Sequence, residues 1–109
     1  MQFTSFLQDG KLTVALTGEI DHHRAGALMQ ELETQLDLES PRSVELDLGG
    51  VSFMDSSGIA VVISAMRHMR EIGGKLTLRD VPAQPMKVLR ASGIEKIVQI
   101  EERSLEYEM

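Results

Sequence analysis

The feature that most constrains this chain is a change of hydrophobic period that happens three times along its length. Short runs in which apolar and polar residues alternate give way to longer runs whose apolar residues recur every three or four positions. Alternation puts successive side chains on opposite faces of a strand, whereas the longer period gathers them on one face of a helix. Leu12, Val14 and Leu16 alternate with Thr13, Ala15 and Thr17, and Ala25, Leu28, Met29, Leu32 and Leu36 then follow at helical spacing. Val44, Leu46 and Leu48 precede a second helical series, Ile59, Val62, Ile63, Met66 and Met69. Leu76 and Leu78 precede a third and shorter one around Met86, Val88 and Leu89.

Turn chemistry punctuates the pattern. Asp9-Gly10 tolerates the positive φ of a tight turn and joins the Phe3–Leu7 run to the Leu12–Leu16 run as a hairpin. Gly18 is expected to break the second strand, Asp21 to cap the first helix, and Ser40-Pro41 to end the connection behind it. Gly49-Gly50 and Gly73-Gly74 read as turns, Ser92-Gly93 ends the third helix, and Ile97, Val98 and Ile100 form a last strand. Residues 101–109 read as a frayed tail or a partial helix. The expectation is an α/β fold in one domain spanning residues 1–109. It has a mainly parallel mixed sheet of four to five strands, opened by the N-terminal hairpin, with helices packed against it.

Composition excludes several functions. A net charge of −6 opposes neutralisation of a phosphate backbone, and one Tyr, three Phe and no Trp leave few platforms for stacked bases. Direct nucleic-acid binding is therefore not expected, and a protein partner is. The absence of Cys excludes disulfides and thiolate chemistry and fits a reducing cytoplasm. No apolar run is long enough to span a bilayer, so no membrane role is expected. The seven Met serve as core filler or as an adaptable interface. Sequence leaves the oligomeric state open, with a monomer as the simplest assembly.

The Asp55-Ser56-Ser57-Gly58 run delivers Ser56 to a helix start, where backbone N–H groups without intrahelical partners and the helix dipole favour a phosphate. The plainer reading is that Asp55, Ser56 or Ser57 caps the helix. A nucleophilic serine is disfavoured because Met54 stands where a hydrolase elbow needs glycine. Nothing in the sequence places His22, His23 or His68 beside Ser56 as a base. The adjacent His22-His23 pair, pointing about 100° apart on a helix, makes a poor metal site and reads as solvated first-turn imidazoles. The paired glycines lack the spacing of a phosphate-binding nucleotide loop. Glu31, Glu33, Glu39 and Glu45 read as a solvated face. No catalytic, cofactor-binding or metal-binding residue is expected.

Two segments, Leu16-Thr17-Gly18-Glu19-Ile20-Asp21-His22-His23 and Ser52-Phe53-Met54-Asp55-Ser56-Ser57-Gly58-Ile59, closely resemble the hallmark segments of anti-sigma factor antagonists of the STAS-domain type. Ser92-Gly93-Ile94 resembles their third. The Asp-His-His extension looks like the sporulation, sigma-F branch rather than the general-stress branch. The resemblance implies a single STAS domain with no activity or cofactor of its own. It implies that Ser56 is phosphorylated by an anti-sigma factor with serine kinase activity and dephosphorylated by a metal-dependent phosphatase of the PP2C type. Unmodified antagonist binds the anti-sigma factor and frees the sigma factor, and phosphorylated antagonist lets go. Nucleotide and magnesium belong to the kinase. Asp21, His23, Asp55, Ser57 and Gly58 are the expected partner-binding residues, and Arg24 has no role assigned by resemblance. Three alternatives remain: another STAS module, stressosome-like or transporter-regulating; a weak nucleotide-binding STAS protein; and an interaction domain in which Ser56 is only a cap.

Overall fold

The computed structural model describes residues 2–101, except for the side chain of Gln2. Strands β1 (Gln2–Gln8) and β2 (Lys11–Ile20) form the expected hairpin, followed by α1 (Ala25–Glu39), β3 (Ser43–Met54), α2 (Ser57–Glu71), β4 (Lys75–Arg79), α3 (Ala83–Ser92), a 3₁₀ turn at Ile94–Lys96 and β5 (Gln99–Glu101). The five strands lie in sequence order, β1 antiparallel to β2 and every later neighbour parallel. Parallel pairs need a crossover, and the three helices supply them.

Alternation in the strands sorts the two faces of the sheet. Leu12, Val14, Leu16, Val44, Leu46, Leu48, Leu76 and Leu78 are buried in one cluster with Leu28, Leu32 and Leu36 of α1, Val61, Val62, Ala65 and Met69 of α2, and Leu89 of α3. All three helices thus cover the same face. The opposite face carries polar groups: Glu45 pairs with Lys11 at 3.0 Å and with Arg79, and Arg79 also reaches Asp47 at 3.1 Å. Glu45 is only 7% exposed beneath those two cations, so the solvated reading does not hold for it. Nor does it hold for Glu33, which is half-buried on α1 and accepts a hydrogen bond from Ser64 at 2.9 Å, with Nδ1 of His68 at 2.6 Å. The charges there lie within reach of partners that the sequence separates by more than thirty residues.

Several other expectations need correction. Gly18 does not break β2 and Gly49-Gly50 is not a turn, because both strands continue through them to Ile20 and Met54. The register shifts between Ala15 and Thr17 and again between Gly18 and Glu19, β3 taking one extra residue each time. These bulges break the two-residue period, so the buried positions step from Leu48 to Val51 and then to Met54. Gly50 is required by close approach: a Cβ there would lie 2.4 Å from Cγ2 of Thr17. At the C-terminal side, Ile97 and Val98 precede the strand rather than open it, and Ile97 is exposed. The expected tail at 101–109 lies outside the described residues apart from Glu101, which ends β5.

Candidate functional site

The last pair in the β2–β3 ladder is Ile20 with Met54, and the backbone N–H of Asp55 donates to the carbonyl of Ile20 at 3.1 Å. The two loops that follow therefore start side by side at the C-terminal edge of the sheet, where open α/β sheets place their sites. Asp55 ties them together. Its Oδ1 accepts the N–H of Ser57 at 2.8 Å, capping α2, and its Oδ2 accepts the N–H of His22 at 3.2 Å, with Nδ1 of that ring 3.8 Å away.

Ser56 is the N-cap residue of α2, is exposed, and makes no side-chain capping bond. The plain cap reading is thereby reassigned: Asp55 performs the capping and leaves the Ser56 hydroxyl outside it. Ser57 opens the helix half-buried. Gly58 is buried, and a Cβ on it would stand 2.4 Å from Cγ and 2.6 Å from Sδ of Met54. Its missing side chain makes room for an internal neighbour.

Asp21 caps, but one turn early. Its Oδ1 accepts the N–H groups of His23 at 3.0 Å and Arg24 at 3.1 Å, while the regular helix begins only at Ala25 with no side-chain cap on Arg24. Because residues 22–24 form a turn, the two histidines do not splay as helical neighbours would. Their ring centroids lie 3.9 Å apart, tilted by 38°. His23 is exposed and borders a cavity of about 250 Å³ with Phe3, Arg24 and Glu31. Arg24, unassigned from sequence, holds the Asp21 carboxylate and approaches Glu19 at 3.6 Å. His68 faces Glu33 and Asp37 of α1, far along α2 from Ser56.

Two contributors were not legible in sequence. His22 joins through its backbone N–H, which carries no sequence signal. Gln84 of α3 donates Nε2 to the Met54 carbonyl at 2.8 Å and accepts the Met54 N–H at 2.7 Å. With β4 ending at Arg79, this side-chain amide stands in for the missing strand and steadies the segment leading to Ser56.

The family model for the STAS domain matches residues 7–106, nearly the whole chain and all of this geometry. The chain belongs to the STAS-domain family. A relative from Paenibacillus polymyxa, an anti-sigma F factor antagonist, is 31% identical over 84% of this STAS domain and 78% of that protein. The anti-sigma-B factor antagonist of Bacillus subtilis is 26% identical over 88% and 86%. The fold matches that of the antagonist SpoIIAA. Its unphosphorylated form is 21% identical with TM-score 0.71 over 98% of this chain and 94% of that one. The phosphorylated Bacillus form is 24% identical with TM-score 0.68 over 98% and 97%.

Electrostatics at the edge of this STAS domain are dominated by carboxylates. The Ser57 N–H holds the Asp55 carboxyl below its ordinary pKa against the opposing cost of desolvation, helped by the Ser57 side chain and by His22. A carboxylate depressed in the folded state adds stability above its unfolded pKa and loses it as pH falls through the folded one. The stability gap between wild type and Asp55→Asn should therefore narrow as pH falls below about 4. Urea melts at stepped pH measure it, and a gap that fails to narrow between about pH 4 and about pH 2 would refute the role. Among the described residues, no group of three or more His, Cys, Asp or Glu is arranged to hold a metal ion, and no helix is long and apolar enough to cross a membrane.

Proposed function

We propose that this STAS domain is a cytoplasmic anti-sigma factor antagonist of the sigma-F type. With Ser56 unmodified it binds an anti-sigma factor that is also a serine kinase, and the sigma factor is released. Phosphorylation of Ser56 ends the binding, and a PP2C-type phosphatase restores it. The observation that carries this reading is the exposed Ser56 at the start of α2, beside the Asp21 loop and relieved of capping by Asp55.

The arrangement supports a local switch. A phosphate adds about −1.5 to −2 charges and three acceptor oxygens. The positive end of α2 favours them, so the domain need not unfold. Asp55 adjoins Ser56 in the chain, Asp21 lies on the neighbouring loop and Glu19 near the end of β2, so the modified edge becomes strongly anionic. A kinase surface that accepts a neutral hydroxyl here would have to bury a dianion among carboxylates. Binding changes, and folding does not. Asp21, His23 and Ser57 supply the contact surface around Ser56. Gly58, buried under Met54, acts by seating the first turn of α2.

Incubation with ATP and purified anti-sigma kinases of the sigma-F and sigma-B types, followed by phosphopeptide mapping, tests the reading. Label should fall on Ser56, and faster with the sigma-F kinase. Label on Ser57, on a histidine or nowhere would overturn the acceptor assignment, and a preference for the sigma-B kinase would overturn the branch.

A further inference from the structure

Strand β1 is the outer edge of the sheet, and it lacks the features that usually keep such edges apart. Its sequence, Gln-Phe-Thr-Ser-Phe-Leu-Gln, contains no charge, no proline and no glycine. Its pairing with β2 runs without a bulge, and Phe6 and Leu7 are 62% and 42% exposed. The opposite edge, β5, offers three residues and ends on a glutamate.

The turn decides which backbone groups are free. Asp9 and Gly10, at φ 53° and 81°, form a two-residue turn of the type I′ class closed by the pair Gln8 and Lys11. In that geometry the closing pair exchanges hydrogen bonds, and the alternation continues along the ladder. Thr4, Phe6 and Gln8 thus bond to β2, while the N–H and C=O groups of Phe3, Ser5 and Leu7 point outward.

We propose that β1 pairs antiparallel with β1 of a second copy about a two-fold axis at Ser5, joining two sheets into one. The strand is self-complementary in that register. Ser5 meets its own copy, Phe3 meets Leu7 on the helix-covered side, and Thr4 meets Phe6 on the other. All three outward-facing residues fall in hydrogen-bonded pairs, giving about six inter-strand bonds. In a chain of net charge −6, the two copies meet on a segment free of ionisable side chains, which keeps direct like-charge contacts out of the seam. One strand edge buries less than the about 1,200 Å² of stable interfaces, so the dimer is weak and concentration-dependent.

Sedimentation velocity from micromolar to millimolar protein should show a monomer converting to a dimer. Ser5→Lys, which sets two ammonium groups opposite each other, should weaken that dimer about tenfold or more with an unchanged circular dichroism spectrum. Because the chain has no Cys, Ser5→Cys gives a clean register test. Its Cα atoms would stand about 5.5 Å apart, within disulfide reach, whereas those of Thr4→Cys would not. Mild oxidation should cross-link Ser5→Cys and leave Thr4→Cys uncoupled. A monomer throughout the range, a dimer indifferent to Ser5→Lys, or equal cross-linking of the two cysteine variants would overturn the proposal.

Discussion

Ser56→Asp should bind the anti-sigma kinase about a hundredfold more weakly than Ser56→Ala, a difference of roughly 2.7 kcal/mol in a side-by-side calorimetric titration. The estimate is set by desolvation. An added carboxylate beside Asp55, with Asp21 on the adjoining loop and Glu19 near the end of β2, must lose its water when the partner closes over the start of α2, and the nearest arginine is already paired. Arg24 is engaged by Asp21 and Glu19, and the His22 ring faces Asp55. A true phosphate carries about twice the charge and should weaken binding further. Folding serves as the control. Ser56 makes no side-chain cap bond, so Ser56→Ala should shift stability by less than about 0.5 kcal/mol. Equal affinity of the two variants would contradict the charge mechanism, and a large loss of stability in Ser56→Ala would return Ser56 to the role of a cap.

Gly58→Ala should destabilise the domain by about 1–3 kcal/mol, measured by urea unfolding. Helix propensity alone argues for the opposite sign, since alanine inside a helix gains about 1 kcal/mol over glycine. Packing decides. The new methyl would stand 2.4 Å from Cγ of Met54, a residue only 1% exposed and with little room to withdraw. A double-mutant cycle isolates the cause: in a Met54→Ala background the same change at Gly58 should cost much less. If Gly58→Ala is neutral in wild type, the first turn of α2 is not seated by this contact.

The hydrophobic period made the order of strands and helices legible, and the Asp9-Gly10 turn made the hairpin legible. Both are local quantities, set by residues within a few positions of each other. The same locality explains the errors. Gly18 and Gly49-Gly50 looked like breaks because glycine in isolation favours turns. Only the parallel pairing of β2 with β3 turns them into bulges and close approaches within continuous strands. Glu45 and Glu33 looked solvated because their partners, Arg79 and His68, lie more than thirty residues away.

The site divides along the same line. Sequence by itself determined that Ser56 stands at a helix start, that the chain is acidic and free of cysteine, and that its Asp-Ser-Ser-Gly and Asp-His-His segments resemble those of antagonists. Tertiary structure alone decided which residue does the capping, because a helix start has several candidate acceptors and geometry selects among them. Asp55 takes both the Ser57 and the His22 N–H groups, which leaves Ser56 uncommitted and fastens the two loops to each other. It also decided that Gln84 completes the backbone bonding of Met54, a contact across thirty residues that no local pattern encodes. Local chemistry chose the elements, and the site arose where the strand ends of the folded sheet brought distant hydrogen-bonding groups within 3 Å or so of one another.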